Sequence, residues 1–210
     1  MLRTRLLYPA VAALLLLLVA RFPGKAAAPA VDPPAGQLLV ASATIQDPRF
    51  YHSVILLLHH DQNSAVGIII NRPLGERPLA ALLAAADGKP GKPEAEAGIT
   101  GTIRVFFGGP VEPQLGFVVH TADYHLPATL AVGGGLAMTA SKDVLRAIGH
   151  HQGPAKYLFA LGYAGWGAGQ LEGEIARHDW FTAAADPDLV FDADRDTVWQ
   201  TALARRTREL

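Results

Sequence analysis

Cysteine is absent from all 210 residues, which removes disulfides, cysteine-ligated zinc, iron–sulfur clusters and thiol nucleophiles together. Charge is sparse as well, at 18% of residues with a formal balance of −1, and no short period runs through the chain. Disordered, collagen-like, coiled-coil and repeat organisations are therefore excluded. With half of its residues apolar, the chain is one folded domain mixing helices and strands, since single cores commonly span about 100–200 residues.

Several catalytic signatures are missing too. No serine sits in a G-x-S-x-G elbow, no H-E-x-x-H is present, and the glycines fit neither phosphate-loop spacing. His59-His60 and His150-His151 are adjacent pairs. Neighbours on a strand point to opposite faces, and on a helix they diverge by about 100°, so neither pair chelates a metal alone. His59, His60, Asp61 and His120 would have to meet through folding, and without that they are ordinary surface or hydrogen-bonded groups. No catalytic residue, metal ligand or cofactor is assigned on these patterns.

What is present begins with a leader. Arg3 and Arg5 precede an apolar run from Leu6 to Ala20, followed by Arg21, Lys25 and the small-residue stretch Ala26 to Ala30. Fifteen apolar residues fall short of the roughly 20 that span a bilayer, and Ala28 and Ala30 occupy the positions a signal peptidase reads. Residues 1–30 are expected to be an export signal or a single N-terminal anchor, either of which puts the domain outside the cytoplasm. Arg21 and Lys25 weaken that orientation bias and are unusual after the apolar run of a signal. The leader holds four bases and no acid, so the remainder carries 14 basic against 19 acidic residues, a net of −5. That balance disfavours phosphate-backbone binding. Eight carboxylates crowd Glu172 to Asp196 against only Arg177 and Arg195. This run is either a solvated face or a surface for a cation or a basic protein.

After a proline-containing tether at Val31 to Ala35, strands are expected at Gln37–Ser42, His52–His59 and Ala65–Asn71, the last two as an antiparallel hairpin. Pro78–Ala86 reads as a helix and Asp87–Gly98 as a solvated loop. Ile103–Phe107 and Gly116–His120 are expected to form a second hairpin around Gly108-Gly109-Pro110, with a short strand at Leu130–Val132. Ser141 caps a helix running through His150. Lys156–Gly162 is a buried strand leading into a glycine-rich loop, Gln170–Phe181 is an amphipathic helix, and Asp194–Arg206 closes the chain as a helix. Strands paired through short loops, with helices set apart, indicate an α+β fold.

Three places carry candidate binding residues. Tyr163, Trp166 and Gln170 on the glycine-rich stretch offer aromatic walls with a polar handle, or else a tight strand-to-helix turn. Asn71 and Arg72 close a buried strand, where Arg72 serves as a structural partner or an anion contact. Gly108 and Gly109 form a turn, and His120 ends a neighbouring strand.

Taken together, these segments resemble the YqgE/AlgH family. The resemblance is carried by Gly36 to Ser42, by Asp47-Pro48-x-Phe50 with Ser53-Val54, and by Gly67-Ile68-Ile69-Ile70-Asn71-Arg72-Pro73. Phe107-Gly108-Gly109-Pro110-Val111, Gly116-Phe117-Val118-Val119-His120 and the long block from Leu161 to Ile175 with Asp179-Trp180 follow in order. The departures are Ala43 and Ala168, where the family commonly has proline, and Ser64, where glycine is frequent. The resemblance implies an α+β domain whose mixed, largely antiparallel sheet bends into a pseudo-barrel with helices packed outside, spanning residues 36–210. It implies no catalytic set. Members bear a transcriptional-regulator label, but this chain shows no helix-turn-helix. The resulting expectation is a noncatalytic binding or regulatory domain of the bacterial envelope. It would recognise a protein, peptide or small ligand through Asn71, Arg72, Gly108, Gly109, His120, Tyr163, Trp166 and Gln170, and touch membrane only through the leader. The alternatives are cytoplasmic regulation and a hydrolase or metal-dependent enzyme built on the histidines.

Overall fold

A computed structural model describes residues 34–88 and 98–207. The expected leader, most of the tether and most of the Asp87–Gly98 loop lie outside the described residues. The element order is β1 (Gln37–Ala41), β2 (Val54–His60), β3 (Ser64–Ile69), β4 (Pro73–Pro78), α1 (Leu79–Ala86), β5 (Thr102–Phe107), β6 (Val111–Thr121) and β7 (Thr129–Gly133). It continues with β8 (Leu136–Thr139), α2 (Lys142–Gly149), β9 (Tyr157–Gly167), α3 (Gln170–Ala176), β10 (Trp180–Ala184), a π-helical turn (Asp188–Asp192) and α4 (Val198–Ala204). No helix among the described residues is long and apolar enough to cross a membrane.

The strands form an antiparallel half-barrel along the path β10-β1-β2-β3-β9-β6-β8-β7, with β5 pairing β9 and β4 pairing β5. Among the described residues only β5 and β9 pair in parallel. The alternation of side chains along a strand, with period two, sorts the apolar residues onto two faces. Leu38 and Val40 of β1, Leu56 of β2, Ile68 of β3, Phe117 of β6 and Met138 of β8 join one continuous cluster, which is the concave interior. Their neighbours Leu39, Ile55 and Ile69 point the other way, into a cluster with Leu171 of α3 and Trp180. Ile103 and Val105 of β5, with Val118 of β6, meet α1 and α2 in a third. Those three helices cover the outside, as expected. The last helix does not: Val198 and Ala202 of α4, with Leu189 and Val190 of the π-helical turn, fill the interior. Trp199 fastens α4 there, donating from Nε1 to the carbonyl of Ala41 at 2.8 Å and stacking on His52 at 3.8 Å.

The antiparallel hairpin of β2 and β3 and the cap from Ser141, whose side chain accepts from the Asp143 N–H, form where local pattern places them. The second expected hairpin does not form. β5 and β6 do not pair with each other; β9 lies between them and bonds to both. The connection through Gly108 and Gly109 crosses β9 instead of turning back. The Gly108 N–H donates to the Leu161 carbonyl at 2.8 Å, and the Gly108 carbonyl accepts from Ile69 N at 2.8 Å. A Cβ on Gly108 would lie 2.3 Å from the Gly162 carbonyl oxygen, and one on Gly109 would lie 2.1 Å from the Tyr163 carbonyl carbon. Glycine is required because backbone meets backbone at this crossing.

The glycine-rich stretch is strand, not loop: β9 runs on to Gly167. Gly162 has φ +73° and resets the alternation. Leu158 and Ala160 face the interior before it and Tyr163 after it, while Ala164 and Trp166 face outward. The expected helix Gln170–Phe181 also divides. α3 ends at Ala176, His178 takes a positive φ of 60°, and Trp180 and Phe181 enter β10, which pairs antiparallel with β1. Aromatic residues suit a pleated, half-buried surface better than the end of a short helix.

Candidate functional site

The expected binding residues occupy separate places. Asn71 clasps the Asp47–Ser53 loop: its Oδ1 accepts from Val54 N at 2.9 Å and its Nδ2 donates to the His52 carbonyl at 2.9 Å. Arg72 donates to the carbonyls of Pro48, at 3.1 Å, and Tyr51, and burial pushes its pKa down. Gly108 and Gly109 make the backbone crossing. Tyr163 lies inside the half-barrel, edge-on to Phe117, and burial raises its pKa. His120 is wholly buried, with Nε2 2.8 Å from Thr139 Oγ1 and Nδ1 2.8 Å from the Thr121 carbonyl. Burial lowers its pKa, against the pull of that carbonyl and Asp123.

Trp166 and Gln170 do come together, around a residue the sequence reading passed over in this role. Glu174 Oε2 accepts from both Trp166 Nε1 and Trp180 Nε1 at 2.8 Å, and its Oε1 accepts from Gln170 Nε2 at 2.9 Å. One carboxylate thereby ties α3 to β9 and β10. Glu172 adds a second tie, 2.8 Å from the buried His60 Nε2. His59 faces Asp61 at 3.4 Å, far from His120 in the pairing of strands. Among the described residues no group of three or more His, Asp or Glu is placed to hold a metal ion.

None of the eight lines the large cleft of about 1040 Å³ that opens on the face of β4, β5 and β9. Its floor follows from the alternation of β5. Ile103 and Val105 pack against the helices, so Thr102, Arg104 and Phe106 take the opposite face and line the cleft with Tyr157 and Leu158 of β9. One wall is β4, whose every residue is exposed. The other is the segment Val190–Asp196, so part of the late acidic run stands at the rim. A lone arginine in the otherwise apolar Ile103–Phe107 run was the available signal for Arg104, because alternation assigns it a face different from its apolar neighbours Ile103 and Val105.

The charges in the cleft are unequally committed. Arg195 donates from Nε and both Nη atoms to the carbonyls of Ile70, Leu189, Val190 and Ala193, which clamps the π-helical turn to the end of β3. Burial and the nearby Arg104 push its pKa down, and Asp194 and Asp192 push it back. Asp192 pairs with Lys156, Glu76 accepts from Thr102 Oγ1 at 2.7 Å, and Asp194 accepts from Asp196 N at 3.1 Å. Arg104 makes no hydrogen bond or ion pair with a described residue. The cleft pairs no nucleophile with a base; it offers one free guanidinium, exposed apolar side chains and an acidic rim.

A family model described as AlgH-like matches residues 38–210. A UPF0301 protein of Afipia carboxidovorans is 43% identical over 175 residues, covering 81% of this chain and 82% of that one. One from Rhodospirillum rubrum is 44% identical over 170 residues, covering 81% and 85%. The solution structure of the AlgH protein from Pseudomonas aeruginosa superposes with a TM-score of 0.67 at 36% identity, covering 87% of this chain and 92% of that one. A crystal structure from Corynebacterium diphtheriae, 22% identical, shares the fold with a TM-score of 0.62, covering 91% and 93%.

Proposed function

The chain belongs to the AlgH-like UPF0301 family, a membership that carries a fold but no assigned chemistry, and on that premise we propose a noncatalytic binding domain whose ligand enters the cleft between β4–β5 and Val190–Asp196. The observation that carries this reading is the cleft itself. Its volume of about 1040 Å³ reaches the upper end of ligand sites, which run to about 1,000 Å³. Leu74 and Tyr157 stand 51% and 39% exposed on its lining, and Arg104 has no hydrogen-bond or ion-pair partner among the described residues. Of the eight residues first singled out, Gly108 and Gly109 bear on this surface, because they let the chain leaving β5 cross β9.

Placement in the bacterial envelope is part of the same proposal and is supported by the composition of residues 1–30 alone. The net charge of −5 without them is poorly suited to nucleic acid. Amide-shift mapping with a mixture of neutral, acidic and basic fragments tests the binding reading, with the perturbed residues expected to gather on β4, β5 and Val190–Asp196. Shifts scattered over the surface, or gathered elsewhere, would refute it. The N-terminal residue of the protein taken from periplasmic, membrane and cytoplasmic fractions tests the placement. A soluble periplasmic chain beginning near Val31 is expected, and a full-length cytoplasmic chain refutes it.

A further inference from the structure

We infer that the cleft receives a single carboxylate carried on an apolar body, with Arg104 holding the carboxylate and Leu74, Tyr157 and Phe191 meeting the body; this deepens the binding reading above and rests on it. The argument begins with supply of hydrogen bonds. Arg195 directs its donors to backbone carbonyls from Ile70 to Ala193, so it contributes charge to the floor but no free N–H. Arg104 contributes both. A planar guanidinium matches a carboxylate with two parallel bonds, and its position on β5, between Thr102 and Phe106 on the same face, holds it at the base of the cleft.

Electrostatics limit the ligand to one negative charge. Burial first and then the charge of Arg104 push the Arg195 pKa down, so an anion on Arg104 relieves a like-charge repulsion. Asp192, Asp194, Asp196 and Glu76 line the same cleft and oppose a second negative charge. A polyphosphate or nucleic-acid backbone would meet four carboxylates for one free arginine. The exposed Leu74 and Tyr157 give an aliphatic or aromatic body its apolar contacts within a lining that is otherwise mainly polar. Two sources share this chemistry, a free organic acid and the C-terminus of a peptide ending in apolar residues.

The test is an amide-shift titration of the full chain with 4-phenylbutyrate, 4-phenylbutyramide, N-acetyl-Leu-Phe, its C-terminal amide and inorganic phosphate. The acids should saturate shifts at Leu74, Arg104 and Tyr157, with each amide bound at least about tenfold more weakly, the loss of a charge-assisted pair. Arg104→Gln should weaken the acids about tenfold and leave the amides and the melting temperature unchanged, because Arg104 is exposed and supports no other residue. Tighter binding of phenylbutyrate or of the dipeptide distinguishes the two sources. Equal binding of acid and amide, full acid affinity in Arg104→Gln, or phosphate bound as tightly as the acids overturns the inference. If probes still gather in the cleft regardless of charge, the binding reading survives alone; if none perturbs the cleft, both fall.

Discussion

Alanine at Gly162 puts a Cβ 2.3 Å from the Gly109 carbonyl oxygen and 3.0 Å from that of Val111. Both contacts are backbone, so neither can be relieved by a rotamer change; one chain must move by about 1 Å to restore ordinary contact. Forcing such a shift in a packed core costs about 1–3 kcal/mol. The φ of +73° adds about 1–2 kcal/mol for a residue bearing Cβ. Alanine recovers about 0.4–1 kcal/mol by restricting the unfolded chain. The expected net loss is about 1–5 kcal/mol, centred on about 3, a large part of a typical stability of 5–15 kcal/mol. Two other glycines of the same motif separate these contributions. Gly169 also has a positive φ, +71°, but a Cβ there meets nothing within 4 Å, so Gly169→Ala should lose about 1 kcal/mol from conformation alone. Gly167 has neither a positive φ nor a neighbour, so Gly167→Ala should fall within about 0.5 kcal/mol of the parent. Urea unfolding followed by tryptophan fluorescence measures all three, as midpoint shifts at constant slope. Equal midpoints for Gly162→Ala and Gly167→Ala would show that β5–β6 do not cross β9 at the closeness described.

Glu174→Ala strands two buried indole N–H groups and should cost about 3 kcal/mol, whereas Glu174→Gln keeps an acceptor oxygen and should cost about 1 kcal/mol; thermal melts of the pair check the ratio, and equal losses would refute the shared-acceptor role. His120 is held neutral by burial, with its pKa below 6.5, so the unfolded chain takes up the proton first. Its contribution is therefore full above pH 6.5 and is lost as pH falls toward the lowered folded value; denaturation midpoints read against pH should flatten in His120→Gln, and an unchanged pH dependence would refute the assignment. Arg195→Met removes the donors that clamp the π-helical turn and should cost about 2 kcal/mol, with hydrogen exchange quickening first at Leu189–Ala193; exchange that quickens uniformly would show that the clamp is not local.

The site was less legible than the fold for reasons visible in particular residues. Asn71 and Arg72 looked available because their polar groups end an apolar run, but the groups they satisfy are carbonyls and an N–H in a loop some twenty residues earlier, which no local pattern announces. Tyr163 and Trp166 looked like two walls of one pocket on a loop; β9 runs on through both, and three residues apart on a strand they take opposite faces. Trp180 and Phe181 fit a helix end by spacing and became strand because β1 offers an unpaired edge. β4 has every residue exposed and proline at both ends, so neither alternation nor apolar character marked it, although it walls the cleft.

By itself the sequence determined what short-range chemistry decides: the unbroken apolar runs Leu38 to Ala41 and Val54 to Leu58 that become strands, the hairpin closed through Asp61 and Asn63, the helix begun by Ser141, and the absence of cysteine chemistry. Family membership was legible as well, because the blocks that carry it are contiguous. Only the tertiary structure decided that β9 lies between β5 and β6, that α4 fills the interior, and that Arg104 is free while Arg195 is spent. Each of these depends on which distant backbone groups come within hydrogen-bonding or contact distance, a matter settled by the closing of the half-barrel and not by any neighbour along the chain.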